Sequence, residues 1–230
     1  RLNAVANGPP ATHLLSNGRY AVMLTTTGAG YSRWRDIAVT RWQEDATCDN
    51  WGSFVFLKDV QSGKSWTGAA QSLGEDTGSG ETFFSEDCAH FVRRDGNLTT
   101  TMDVLVSGEE DGEVRRICLT NSGRRPREIE ITSYAEVVLA LPASDNAHPA
   151  FSKMFVQTEH LPEFGALVAT RRPRSHDEAR LWVAHFAVVE GEIADDPQYE
   201  TDRACFLDRG HTIADAAALK DGGALSNTVG

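Results

Sequence analysis

The chain has 230 residues, of which 33 are Asp or Glu and 22 are Lys or Arg, so its formal net charge is −11. This balance argues against duplex nucleic acid and anionic membranes as partners, because both require clustered Lys and Arg. No apolar run reaches the ~20 residues that a membrane-spanning helix needs, so direct membrane insertion is not expected.

Strand patterns dominate the chain. Alternating or continuous apolar runs with Gly, Asn and Asp between them recur roughly every 8–15 residues, which is typical of antiparallel sheets and not of βαβ units. These runs predict strands at 19–26, 52–60, 89–107, 113–140, 154–173 and 179–191. The sequence therefore predicts an all-β fold, an antiparallel sandwich or barrel, formed by one domain over residues 1–230.

Three local features refine this prediction. Asp95-Gly96 predicts the turn of a hairpin over 89–107, and the second strand of 113–140 is apolar enough to be central in its sheet. A short helix is predicted over 212–221, with Thr212 as its cap. The polar, Gly- and Pro-containing stretches 72–82 and 142–150 are predicted to be loops.

The stretch 28–42, GAGYSRWRDIAVTRW, combines aromatic rings with several Arg residues behind a Gly-Ala-Gly turn. Glycines there permit close approach of the backbone to a neighbour. Ring faces can stack on the C–H groups of a sugar, and guanidinium and carboxylate groups can hydrogen-bond its hydroxyls. The alternative is that the rings pack a core and the Arg stems lie over them. The candidate sugar-binding or interface residues are Tyr31, Trp34, Arg35, Asp36, Arg41 and Trp51.

Motifs for other chemistries are missing from the sequence. There is no GxSxG elbow, P-loop or dinucleotide fingerprint, and the acidic loop at 74–81 lacks the ligand pattern of a calcium site. The four cysteines, Cys48, Cys88, Cys118 and Cys205, form no CxxC pair and are interpreted as reduced thiols, with two disulfides as the alternative. We therefore predict no cofactor, no metal site and no catalytic residue.

Several long stretches resemble a known family. The segment from His13 to Trp66, HLLSNGRYAVMLTTTGAGYSRWRDIAVTRWQEDATCDNWGSFVFLKDVQSGKSW, is similar to the β-sandwich domain of cyclic β-1,2-glucan synthases. VRRICLTNSGRRPREIEITSYAEVVLA, HPAFSKMFVQTE, ALVATRRPRS and YETDRACFLDRG resemble the same domain. A domain of this type also precedes the catalytic barrel of cellobiose and chitobiose phosphorylases, in glycoside hydrolase family 94 and glycosyltransferase family 36.

The resemblance implies a two-layer antiparallel super-β-sandwich, galactose-mutarotase-like, with few short helices. It implies a non-catalytic module that binds or positions a β-glucan or oligosaccharide, contacts other domains of its parent enzyme, or supports a homodimer. The parent is expected to be a membrane-anchored glycosyltransferase that uses UDP-glucose, with the module on the cytoplasmic side of the inner membrane. The chain is expected to be a piece of that parent, truncated at its C-terminal end. Tyr31, Trp34, Arg35, Asp36 and Arg41 match the family pattern.

Two alternatives remain open at this point. A fold does not by itself confer a binding site, so the module could be a purely structural inter-domain or dimerisation element. Mutarotases share the architecture and use a Glu base with a His acid. In that alternative Glu136 would be the base, and the candidate acids are His90, His148, His160 and His185.

Overall fold

The computed structural model describes residues 11–43, 51–69, 79–173, 180–220 and 223–230. Within them the fold is all-β, with antiparallel sheets and a few short helices, as the sequence predicted. The chain forms two compact units, a division that the sequence does not mark. The first unit is Arg1–Asp36 with Thr40–Glu136, and the second is Ile37–Val39 with Val137–Gly230.

Three groups of antiparallel strands build the first unit. One contains β1 (Thr12–Ser16), β2 (Tyr20–Thr25) and β3 (Gly30–Trp34) in that order. The second has the order β11-β5-β6, with β5 (Phe54–Asp59), β6 (Ser65–Thr67) and β11 (Ile129–Tyr134). The third is four-stranded in the order β10-β9-β8-β7, with β7 (Ser79–Phe84), β8 (Ala89–Asp95), β9 (Leu98–Val106) and β10 (Glu113–Asn121). Between β3 and β5 the chain forms β4 (Ile37–Thr40).

One face of the four-stranded sheet contributes to the core of the first unit. Along β8 and β9, Phe91, Met102 and Val104 are buried while the residues between them are more exposed, as strand alternation requires. Trp66 on β6 is also buried, and its indole N–H donates a 3.1 Å hydrogen bond to Thr100 on β9. This bond satisfies the one polar atom of a large buried ring.

Gly30 permits a close backbone approach. It forms a parallel bridge with Gly52, and a Cβ at position 30 would lie 1.9 Å from the carbonyl oxygen of Met23. The same holds in the other direction, since a Cβ at Gly52 would lie 2.1 Å from the carbonyl oxygen of Gly30. The close approach expected from the Gly-Ala-Gly turn is therefore present at the first residue of β3.

The second unit is smaller. Its sheet has the order β13-β14-β15, with β13 (Val156–Leu161), β14 (Ala166–Arg171) and β15 (Trp182–Phe186). β12 (Val137–Ala140) contributes Val138 and Ala140 to a small apolar cluster with Ala38. Short helices follow at α1 (Pro142–Ala147), α2 (Pro149–Lys153) and α3 (Arg203–Leu207).

The hairpin over 89–107 is confirmed, with a shift of one residue at its turn. Asp95 pairs with Leu98, so the two central residues are Gly96 and Asn97 instead of Asp95 and Gly96. Gly96 adopts φ 61°, a conformation that glycine reaches without strain. Asp95 instead ends β8 and uses its carboxylate in ion pairs.

The predicted strand pair over 113–140 was wrong in its pairing. β10 pairs with β9 and β11 pairs with β5, so β11 lies at the edge of its sheet and not at the centre. The apolar run is also interrupted between β11 and β12, where Glu136 accepts hydrogen bonds from Arg41 and Tyr134. Pattern alone does not reveal such a break, because it depends on a partner far away in the chain.

Two further local predictions need correction. The predicted loop 142–150 contains α1 and the start of α2, each with a proline in its first turn, where its fixed φ favours a helix. The predicted helix 212–221 is two separate 3₁₀ turns, because Ala216 between them is extended at φ −52° and ψ 138°. Thr212 does start the first turn, and its backbone N–H donates to Asp215 at 2.6 Å. The predicted loop 72–82 lies partly outside the described residues, and its last four residues belong to β7.

Candidate functional site

Three turns of the first unit meet at one end of its strands. They are the β1–β2 turn at 17–19, the β3–β4 turn at 34–36 and the β9–β10 loop at 107–112; together we call them the tip surface. Asn17 joins two of them, since its side-chain amide donates to the carbonyl oxygens of Ser107 at 2.7 Å and Glu110 at 2.9 Å. Backbone acceptors of the long loop are thereby held against the shorter turn.

Asp111 is the hub of the tip surface. It accepts a 2.8 Å hydrogen bond from Nε of Arg19 and a 2.6 Å hydrogen bond from the indole Nε1 of Trp34. These two hydrogen bonds lower the pKa of Asp111 below its ordinary value, so the carboxylate is charged at neutral pH. Arg19 also donates through Nη2 to the carbonyl of Glu109 at 2.7 Å, which fixes the loop a second time.

Trp34 and Arg35 form the aromatic part of the surface. The guanidinium carbon of Arg35 lies 4.6 Å from the centre of the Trp34 ring, a cation–π contact worth about 0.5–1 kcal/mol at an exposed site. Arg35 has φ 51°, a left-handed conformation that is uncommon for a residue with a side chain. Arg35 and Asp36 are both exposed, whereas Trp34 is half-buried. The turn therefore presents one ring with a cation above it.

Next to the tip surface, the carboxylate of Glu113 on β10 accepts hydrogen bonds from neighbouring strands. Its Oε2 accepts a 2.6 Å hydrogen bond from the hydroxyl of Ser32, and its Oε1 accepts a 2.9 Å hydrogen bond from Nε of Arg115. The hydroxyl of Tyr20 points at the same carboxylate. Burial, together with the negative charge of Glu113, raises the pKa of Tyr20 well above its ordinary value, so the phenol stays neutral.

Tyr31 lies on the opposite face of β3 from Trp34. Alternation along a strand places residues 31 and 33 on one side and 30, 32 and 34 on the other. The Tyr31 ring packs instead against Trp42, with ring centres 5.6 Å apart and a tilt of 53°. The structure therefore separates the aromatic residues of the 28–42 stretch into two groups.

Arg41 does not belong to an exposed surface. Only 4% of the residue is accessible to solvent, and Nη1 donates a 2.7 Å hydrogen bond to Oε2 of Glu136. The expectation that it faces outward is therefore corrected: its guanidinium points inward and contacts the half-buried carboxylate of Glu136. Trp51 is half-buried next to Gly52.

The residues of the mutarotase alternative either form other hydrogen bonds or belong to the second unit. Glu136 accepts from Tyr134 at 2.9 Å as well as from Arg41. His90 hydrogen-bonds Asp103 on the neighbouring strand of the four-stranded sheet. His148, His160 and His185 belong to the second unit.

The described ranges contain His, Cys, Asp and Glu side chains. There, no group of three His, Cys, Asp or Glu residues is arranged to hold a metal ion. Cys88, Cys118 and Cys205 are free thiols, and Cys48 lies outside the described residues. The part of the chain that the structure describes also contains no helix that is both long and apolar enough to cross a membrane.

Trp34, Arg35 and Asp36 were candidates from the sequence, whereas the residues that anchor their turn were not. Asp111 and Arg19 were not predicted, although both lie in polar turns, SNGR at 16–19 and SGEEDG at 107–112. Turn composition indicates that these segments are loops. It carries no information about which loops meet.

Comparison with known proteins places the whole chain in one context. The family model for the glycosyl hydrolase 94 supersandwich domain matches residues 3–230. The cyclic beta-(1,2)-glucan synthase NdvB of Rhizobium meliloti (strain 1021) is 44% identical over 222 residues, which are 95% of this chain and 8% of that protein.

Two phosphorylases are more distant relatives. The N,N'-diacetylchitobiose phosphorylase of Vibrio furnissii is 24% identical over 165 residues, covering 66% of this chain and 20% of that protein. The corresponding enzyme of Vibrio proteolyticus is 24% identical over 196 residues, covering 74% and 24%. The chain thus spans less than a quarter of the length of each of these relatives.

Proposed function

The chain belongs to the glycosyl hydrolase 94 supersandwich family, and on that premise we propose that it is a non-catalytic module that positions a β-glucan chain for a larger glucan-synthesising enzyme. The observation that carries the proposal is the tip surface. Trp34, Arg35 and Asp111 place an aromatic ring, a cation and a carboxylate within one hydrogen-bonded assembly.

This assembly has the chemistry of saccharide recognition. Sugars present C–H faces that pack on rings and hydroxyls that both donate and accept hydrogen bonds. Arg35 and Asp36 are exposed donors and acceptors beside the ring, and hydrogen bonds to charged groups are the stronger ones, contributing about 1.5–3 kcal/mol each. Asp111 holds the indole in place before a ligand arrives, which reduces the entropic cost of binding.

Tyr31 and Trp51 are proposed to contribute only indirectly. Tyr31 packs with Trp42 on the other face of β3, where Leu14 is 59% exposed, so it belongs to a separate aromatic patch. Trp51 is half-buried beside the Gly30–Gly52 bridge. Arg41 supports the fold through Glu136.

The parent protein sets the wider setting of the proposal. The NdvB relative is named as a cyclic beta-(1,2)-glucan synthase and is far longer than this chain. We accordingly propose that the module works beside glycosyl-transferring domains of a membrane-anchored parent, on the cytoplasmic side of the inner membrane.

A fluorescence titration tests the proposal. Linear and cyclic β-1,2-glucans are added to the chain and the tryptophan emission is followed. A saturable change that disappears in Trp34→Ala supports positioning of a glucan at the tip. Trp182→Ala is the matched control, because Trp182 is 58% exposed and lies in the second unit. A signal that survives Trp34→Ala, or no signal at millimolar glucan, contradicts the proposal.

The second candidate function is a structural contact with another domain of the parent, or with a second copy of this chain. Arg35 lies over one face of the Trp34 ring, and such an Arg–Trp pair is also typical of protein interfaces. A dimer in analytical ultracentrifugation, together with no change of tryptophan emission in the glucan titration, would favour this alternative.

A further inference from the structure

A second polar surface lies on the outer face of the four-stranded sheet, away from the tip. Phe83, His90, Asp103 and Arg116 come from four different strands, β7, β8, β9 and β10. The strand register pairs Phe83 with His90, His90 with Asp103, and Asp103 with Arg116. The four side chains therefore form one straight row across the whole sheet, which we call the cross-strand row. Three strand spacings make it about 15 Å long.

The row is exposed on the side that does not face the core. The neighbours of His90 along β8, Ala89 and Phe91, are fully buried, whereas the His90 side chain is 39% exposed. Arg116 is 69% exposed at its side chain, while Asp103 between them is 13% exposed. The row thus has two accessible arms on either side of a recessed carboxylate.

Hydrogen bonds inside the row fix what each arm can offer. Arg116 donates to Oδ2 of Asp103 through Nη2 at 2.6 Å and through Nε at 3.2 Å. Nδ1 of His90 hydrogen-bonds Oδ1 of the same carboxylate. Burial alone would raise the pKa of Asp103, but the hydrogen bonds from His90 and Arg116 lower it, so the carboxylate is charged at neutral pH.

In the neutral form of the His90 imidazole, the charged Asp103 carboxylate selects the tautomer. Because the carboxylate only accepts, the His90 proton lies on Nδ1, and Nε2 becomes a hydrogen-bond acceptor. Arg116 keeps Nη1 with its two N–H groups as donors. The row therefore presents an acceptor and a donor on either side of one carboxylate, beside the Phe83 ring, whose centre is 5.9 Å from that of His90.

The charge of this face separates it from the rest of the acidic chain. Arg116 is balanced by Asp103, and the other charged pair of the face is Arg94 with Glu81, 3.5 Å apart. These four charges cancel, although the chain as a whole carries −11. A phosphate would meet Asp103 and a cation would meet Arg116, whereas a neutral polyhydroxylated ligand is opposed by neither.

We propose that the cross-strand row is a second saccharide-binding site, which takes a neutral oligosaccharide across the strands. One hydroxyl donates to Nε2 of His90, a neighbouring hydroxyl accepts from Arg116, and a sugar face packs beside Phe83. The site is separate from the tip surface, and only the choice of a β-glucan as its ligand rests on the proposed function.

Chemical-shift mapping tests the row and the tip in one measurement. The 230-residue chain, labelled with ¹⁵N, is titrated with a linear β-1,2-gluco-oligosaccharide, with N,N'-diacetylchitobiose and with inorganic phosphate. We expect an oligosaccharide to shift the backbone amides at 90, 103 and 116, and phosphate to leave them unchanged. His90→Ala and Arg116→Ala should each weaken this binding at least tenfold, while His90→Gln, which retains an acceptor, should recover part of it.

Arg94→Ala is the matched control. It removes one cation from the same sheet face, four residues along β8 from His90, and its affinity should equal that of the unmodified chain. The spectra of the variants also report whether each is folded. Shifts confined to the Trp34 indole overturn the second site and leave the proposed function standing. Shifts at the cross-strand row without a shift of the Trp34 indole support the second site and contradict the proposed function. If neither saccharide causes a shift, both the second site and the proposed function are overturned. A response of the row to phosphate overturns the assignment to a neutral ligand.

Discussion

The indole nitrogen of Trp34 donates a 2.6 Å hydrogen bond to the carboxylate of Asp111, a residue 77 positions further along the chain. This bond joins the β3–β4 turn to the β9–β10 loop and determines where the only aromatic ring of the 34–36 turn points. Arg19 approaches the same carboxylate from the β1–β2 turn at 2.8 Å. The orientation of the proposed glucan contact therefore depends on one side chain that does not itself need to touch the ligand.

Asp111→Ala tests this dependence. We expect the variant to fold, because the residue is exposed, but to bind β-1,2-glucan several-fold more weakly, since the indole and Arg19 lose their common acceptor. Tryptophan fluorescence anisotropy should fall as the ring gains mobility. Glu110→Gln removes one charge from the same loop and should leave both anisotropy and affinity unchanged. Equal effects of the two substitutions would show that only loop charge matters.

Removing the ion pair between Arg41 and Glu136 should cause a large loss of stability. Their side chains are 3% and 13% exposed and their atoms are 2.7 Å apart. Glu136→Ala leaves the guanidinium buried without this carboxylate, so we expect the free energy of unfolding in urea to fall by about 3–5 kcal/mol. Arg94→Ala breaks an ion pair whose side chains are 53% and 45% exposed and should cost less than about 1 kcal/mol. If Glu136→Ala also costs less than about 1 kcal/mol, the ion pair between Arg41 and Glu136 does not stabilise the fold as proposed.

Replacing Gly30 should lower the free energy of unfolding by a similar amount, through a steric clash. Alanine at this position would place its Cβ 1.9 Å from the carbonyl oxygen of Met23, which is a backbone atom and cannot move aside without disturbing β2. We expect Gly30→Ala to lower the free energy of unfolding by at least about 3 kcal/mol. At Gly108 a Cβ would have open space around it, so Gly108→Ala should have little effect. Thermal unfolding of the two variants side by side separates this clash from a general cost of replacing glycine.

The sequence was sufficient for the fold class and for features encoded within a few residues. The 89–107 hairpin was found because a Gly beside Asp and Asn marks a tight turn between alternating runs. The resemblance to the glycoside hydrolase 94 domain was confirmed over nearly the whole chain. The aromatic and charged character of residues 28–42 was also evident from the sequence, because it depends only on residue types.

The sequence could not determine which distant residues meet. Arg41 was expected on the surface because its partner, Glu136, is 95 residues away and nothing near Arg41 indicates it. Tyr31 and Trp34 were grouped by proximity in sequence, but the pleat of β3 sends them to opposite faces. The cross-strand row is invisible for the same reason, because it exists only through the register of four strands.

Asp95 predicts how stability changes at low pH. Its side chain is 6% exposed and forms ion pairs with Arg93 at 2.8 Å and with Lys64 at 2.9 Å. Burial opposes its ionisation, but hydrogen bonds from Arg93 and Lys64 outweigh burial and lower the pKa of Asp95. Because the folded-state pKa lies below the unfolded value of about 3.9, the ion pairs stabilise the fold fully above that pH. Their contribution is lost as the pH falls through the folded-state pKa.

Asp95→Asn removes the titrating group while keeping the side-chain shape. We expect the variant to be less stable than the unmodified chain at pH 7, by about 2 kcal/mol or more, because the Arg93 side chain is only 2% exposed and loses a charged partner. Below pH 4 the difference should shrink, since protonation weakens the same ion pairs in the unmodified chain. Urea unfolding at pH 7, 4 and 3 measures this convergence, with Glu110→Gln as the control for loss of one exposed charge. Parallel stability curves for Asp95→Asn and the unmodified chain would mean that Asp95 does not titrate between its two basic partners as the structure requires.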